Sequence, residues 1–173
     1  MALAKIIFEL VYVYTEIRSP MKSFIAFLGR ALISLIFILA AIHKFMSWQG
    51  TEQYLNQALT GWVTMSVASP SLQHFFEWAL AHTFSLLLLA VFVELVGGLL
   101  LFTGLGVRLG AFLLLVFTLA ITYTFHHFWN MQEPGREMEM MNFMKNLSIM
   151  GGLLFILARG KSDTCSKKDE PKA

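Results

Sequence analysis

Cysteine is all but missing from this chain: Cys165 is the only one in 173 residues. No intramolecular disulfide can form and there is no CxxC pair, so thiol–disulfide exchange within the chain is excluded. That removes a large class of small membrane oxidoreductases. Charge is scarce too. Only 14% of residues are charged against 57% hydrophobic, more apolar surface than a soluble domain of this length can bury, so the solvent implied is lipid. The net charge of +2 gives no reason to expect nucleic-acid binding, and the length suits one helical bundle without a second domain.

What the chain does have is long uncharged runs. Three read directly as membrane spans: residues 24–45, interrupted by Arg30 and ending in His43-Lys44; residues 83–105, interrupted by Glu94; and residues 109–129, uncharged before His126. A fourth is shorter. Its uncharged part, residues 146–158, covers only about 20 Å at the helical rise. To cross roughly 30 Å of hydrocarbon it must begin near Met140. The expectation is an all-α polytopic membrane protein, a four-transmembrane-helix bundle occupying residues 23–159.

The basic residues orient it. Lys5, Arg18 and Lys22 precede the first span, Arg108 separates the second and third, and Arg159, Lys161, Lys167, Lys168 and Lys172 follow the fourth. The opposite loops carry chiefly Lys44 and Arg136. The positive-inside rule then puts both termini in the cytoplasm of a bacterial inner membrane and the loops 46–82 and 130–139 outside. Residues 1–22 read as an interfacial or disordered extension, with Met21 an alternative start to Met1, and residues 160–173 as a polar tail. The first span lacks a small-x-small cleavage site and is too long for a signal peptide. Helix-like pieces are expected at 52–63 and 71–81 in the first outer loop, where Trp48, Trp62 and Trp78 suit an aromatic belt.

Polar groups fall at two depths. On the inner side, Arg30 is about 9 Å and Glu94 about 16 Å above the inner ends of their spans. An arginine reaches across that difference and its fork suits a carboxylate, so Arg30 and Glu94 are expected as a buried ion pair. Arg108 marks the inner face. On the outer side His43, Lys44, His126, His127, Lys145 and Asn146 arrive at similar depth from three helices. His126 shares a face with Arg108, whereas His127 is rotated by about 100°, so His126 is expected to point into the bundle. Histidine titrates near neutral pH and exchanges hydrogen bonds with a quinone oxygen. The cluster is therefore the candidate ligand site, with quinone as the candidate cofactor. Two histidines from different helices are the minimum for haem, but nothing in their spacing requires it. A zinc site needs three or four convergent ligands and none is legible. Gly97-Gly98 and Gly151-Gly152 suit close helix packing, and together with Ile42–Phe45 and Phe125–Phe128 they outline a weak two-hairpin repeat.

Taken in order, Leu28-Gly29-Arg30, His43-Lys44-Phe45, Glu94 with Gly97-Gly98, Gly104 with Arg108, His126-His127-Phe128-Trp129, Lys145-Asn146 and Gly151-Gly152 resemble the DoxX family over residues 24–158. The resemblance implies a four-helix inner-membrane protein. The family takes its name from a terminal quinol oxidase subunit and is also linked to thiosulfate:quinone oxidoreduction, so it also implies a quinone- or quinol-linked redox subunit with a membrane or periplasmic redox partner. It carries no self-contained catalytic motif. A non-enzymatic scaffold or assembly factor, and a small proton-coupled transporter using Glu94, are the competing readings. The oligomeric state is not readable.

Overall fold

The computed structural model describes the backbone of residues 2–160 and the side chains of residue 21 and residues 23–160. Residues 161–173 of the expected polar tail lie outside the described residues. The chain runs as α1 (Ala2–Met46), α2 (Trp48–Met65), α3 (Pro70–Ala81), α4 (Thr83–Thr103), α5 (Val107–Phe125), a 3-10 turn (Phe128–Asn130) and α6 (Gly135–Arg159), with no strand among the described residues. The segment expected as a separate N-terminal extension is the first part of α1.

Four stretches are long and apolar enough to cross a membrane: Ser23–Met46, Thr83–Thr103, Val107–Asn130 and Gly135–Arg159. Their surfaces explain why lipid is the solvent. In the α1 span Ser34, Phe37 and Ala41 are buried, whereas Leu32, Leu35, Ile36, Leu39 and Ile42 are exposed. Apolar side chains cover the whole circumference, and one narrow face packs on protein. The fourth span starts at Gly135, five residues earlier than its hydropathy suggests. Pro134 stands at its N-cap and Glu137 in its first turn, where a carboxylate is favoured by the helix dipole.

The helices pack in chain order, α1 on α4, α4 on α5 and α5 on α6, and α2 and α3 form a hairpin that lies over α4 and α5. We call the end of the bundle carrying this hairpin the hairpin side and the other the termini side. Phe37, Leu101, Val107, Ala111, Leu114 and Leu153 form one buried cluster, and Leu59, Trp62, Phe76 and Ala79 form a second under the hairpin. Close approach needs glycine. A Cβ on Gly98 would lie 2.8 Å from Ile38 and 3.3 Å from the Ser34 carbonyl, and one on Gly110 would lie 2.9 Å from the Gly97 carbonyl. The second glycine pair is not equivalent, because Gly152 abuts Ile33 but Gly151 faces open space.

The α4–α5 junction is the tightest point, since its obstruction is backbone and cannot rotate away. Gly110→Ala is expected to lower stability by about 1–3 kcal/mol, read as thermal unfolding of the detergent-purified protein. Gly151→Ala should leave the midpoint unchanged.

Candidate ion-paired intramembrane cavity

Glu94 is 2% exposed, and its partner is Lys44. The ammonium donates to both carboxylate oxygens, at 2.8 Å to Oε1 and 2.9 Å to Oε2. The expected pair with Arg30 does not form. Helical side chains lean toward the N-terminus of their own helix. On α1 that tilts Lys44 toward the bundle centre and Arg30 toward the termini side; on the antiparallel α4 it tilts Glu94 toward Lys44. Register adds to this. Gly98 lies against Ser34 and Ile38, while Gly104 lies 3.8 Å, measured from a Cβ placed on it, from an Arg30 guanidinium nitrogen. Arg30 is thus level with the end of α4, ten residues or about 15 Å from Glu94 along the axis.

A second carboxylate pair stands on the hairpin side. The helix of α5 ends at Phe125, and His126 is its C-cap. Leaving helical geometry removes the rotation expected between the two histidines, and both are partly buried. His126 Nδ1 is 2.6 Å from Glu139 Oε2, both side chains being under one-fifth exposed. His127 packs instead beside Trp62, with ring centres 5.0 Å apart, and its buried Nδ1 has no hydrogen-bond partner. Glu139 and Asn146 are seven residues apart and so share a face of α6. Asn146 donates to Thr122 Oγ1 at 2.9 Å. Thr122 and Thr118 in turn donate to backbone carbonyls one turn back, the usual satisfaction of a hydroxyl in an apolar span.

Between the two pairs lies a half-enclosed cavity of about 420 Å³. Its walls are Leu55, Leu59, Phe75, Phe76, Ala79, Leu86, Leu87, Ala90, Phe117, Ala120, Ile121 and Phe125, and its polar groups are Lys44, Thr51, Tyr54, Thr124 and His126. The hairpin is held over it by specific bonds. Trp62 Nε1 donates to the Thr124 carbonyl at 2.9 Å, Thr83 Oγ1 donates to Asn56 Oδ1 at 2.7 Å, and Tyr54 stacks on Phe125 with ring centres 5.1 Å apart. Tyr54, half-exposed at the rim, is held above its ordinary pKa of 10.0, first by partial burial and then by the nearby Glu139 charge.

Of the six residues expected to converge, only Lys44 and His126 line the cavity. His127 and Asn146 belong to its supports. His43 is exposed, and Lys145, one residue or about 100° before Asn146, is exposed and bonds only to Asn142 at 3.3 Å. Arg108 lies at the far end of the bundle, against Gly160. Tyr54, Thr51 and Glu139 were missed as site residues. Glu139 carried a signal, as the sole charge between Met138 and Met144; the other two carried none. Among the described residues no group of three or more His, Cys, Asp or Glu is placed to hold a metal ion.

The fold and the cavity define a small helical membrane protein with a mostly apolar cavity bordered by a few polar groups. Residues 22–159 match the profile of the HR-like lesion-inducing family, and the chain belongs to that family. It is also 28% identical over 133 residues to "Inner membrane protein YphA" of Escherichia coli (strain K12), an alignment that covers 77% of this chain and 81% of that protein. No solved structure matches it. With its four apolar spans the chain is an integral inner membrane protein. The DoxX resemblance is overturned by the family match. Its motifs are glycine pairs and basic residues near span ends, which many small membrane bundles need for packing and orientation, so their order did not identify the family. The redox role drawn from that resemblance loses its basis.

Two outcomes follow from the site's electrostatics. Glu94→Gln strands an ammonium and should cost about 3–5 kcal/mol, read as a lowered unfolding midpoint; Lys44→Met combined with Glu94→Leu should restore most of it. For Tyr54 the neutral phenol is the form favoured by folding. Its contribution is therefore present below pH 10 and is lost as pH rises through the elevated folded value. Tyr54→Phe should flatten the alkaline decline in thermal stability above about pH 10.

Proposed function

We propose that this inner membrane protein binds a lipid-soluble ring compound bearing carbonyl oxygens, of the quinone class, in the cavity between the hairpin and α4–α5. The observation that carries this reading is the cavity itself: a space within the usual ligand-site range of about 300–1,000 Å³, apolar and aromatic on most walls. Lys44 spends two of its three donors on Glu94, and His126 holds Glu139 through Nδ1, leaving Nε2. Lys44 and His126 thus each have one hydrogen-bonding position to spare and are themselves fixed by a carboxylate. Such an anchor orients a carbonyl without leaving a buried charge unpaired.

Titration of the purified protein with a short-tailed quinone should quench tryptophan fluorescence saturably, since Trp62 stacks on the lining residue Phe76. Ala90→Phe, which fills the cavity, should weaken binding by at least about tenfold, equivalent to about 1.4 kcal/mol. Quenching that is linear and indifferent to Ala90→Phe sinks the proposal and favours a scaffold without a ligand. Transport activity lost in Glu94→Gln would favour the proton-coupled carrier instead.

We also propose that both termini are cytoplasmic, supported by Arg30, Arg108 and Arg159 on the termini side. The single native thiol, Cys165, provides the measurement. A membrane-impermeant maleimide should label it in lysed cells and not in intact ones; the reverse pattern inverts the topology.

A further inference from the structure

We propose that Arg30, Arg108 and Arg159 form a site for the phosphate of an anionic phospholipid at the termini side of the bundle, independent of the cavity. Packing brings the three to one end of the bundle. Ile33 on α1 lies against Gly152 on α6, so Arg30, one turn below Ile33, is level with about Phe155, one turn short of Arg159. Arg108, in the first turn of α5, lies directly against Gly160, the C-cap of α6: its Nε is 2.6 Å from the position a Cβ would take there. Arg159 is the last residue of α6.

None of the three has a carboxylate to meet among the described side chains. Among the described side chains, Glu52, Glu77, Glu133, Glu137 and Glu139 lie on the hairpin side, and Glu94 is closed on Lys44. The contrast is with Lys44 and His126, each of which has its own anion. Arg30 Nε is out of contact with water and has no hydrogen-bond partner, a state that costs free energy unless an acceptor is supplied. A phosphate supplies several, and the guanidinium fork matches its geometry.

The surroundings select a lipid over a soluble anion. The Arg159 guanidinium lies 4.7 Å from the ring centre of Phe155, leaning back over the apolar surface of the span, and Phe155 is 59% exposed. Leu105, at the tip of the α4–α5 turn, is 83% exposed beside the exposed Phe102. Exposed apolar side chains thus flank the exposed cations Arg108 and Arg159 at this end of the bundle. Three positive charges with no carboxylate partner among the described residues favour a net negative lipid over a zwitterionic one.

The test is native mass spectrometry of the full chain in mild detergent with added phosphatidylglycerol, phosphatidylcholine or inorganic phosphate. Phosphatidylglycerol should be retained over phosphatidylcholine, and Arg30→Gln and Arg108→Gln should each reduce that retention about fivefold. Arg136→Gln, on the hairpin side, should not. If the glutamine variants fail to fold, the unaltered chain still decides: its preference for phosphatidylglycerol must fall as salt rises. Equal retention of the two lipids overturns the proposal. So does binding of inorganic phosphate with no lipid preference, which would mark a soluble-anion site.

Discussion

The arrangement turns on one ion pair, Lys44 with Glu94. A carboxylate at the centre of a span costs at least about 2.5–3.5 kcal/mol on insertion scales, and Glu94 is almost wholly enclosed. Its cost is offset only if a cation reaches it in good geometry. Lys44 does so with both oxygens engaged, and this fixes α1 against α4 at one depth. Gly98 lets the two backbones come close enough for that reach. The glycine and the ion pair are thus two halves of a single packing solution, one steric and one electrostatic.

From that pair outward the polar groups separate by side. Toward the hairpin Lys44 and His126 each meet a carboxylate, and the space left between the pairs is an apolar cavity roofed by α2 and α3. Trp62 and Thr83 hold the roof in place through the Thr124 carbonyl and Asn56. Toward the termini the described arginines have no carboxylate among the described side chains, and apolar residues stand exposed beside them. The same bundle therefore presents a closed, neutralised interior at one end and an open cationic rim at the other. A lipid-soluble ligand suits the first and a lipid headgroup the second.

How much of this could be read from the chain differs by feature. The spans were legible because lipid imposes length and hydropathy on any segment that crosses it. The hairpin helices were legible from their patterning, with boundaries extended to Trp48–Met65 and Pro70–Ala81 in the structure. The partner of Glu94 was not. Depth counted along the axis put Arg30 within reach of it, whereas the lean of helical side chains toward their own N-terminus separates that pair and brings Lys44 to Glu94 instead. His126 was preferred over His127 on the assumption that α5 continues through both; the helix stops at Phe125, yet it is His126 that lines the cavity, while His127 packs beside Trp62. Tyr54 and Thr51 were invisible, since nothing in a single sequence says that an amphipathic loop helix folds back over a cavity.

The sequence by itself determined that this is an all-α membrane protein with four spans and charge weighted to one end, because those properties are set residue by residue against a uniform solvent. It also determined that Glu94 must have a partner. Only the tertiary structure decided which one, and which of the outer polar residues face a common space. Those outcomes depend on register and side-chain direction between helices distant in sequence, where a shift of one residue turns a side chain through about 100°.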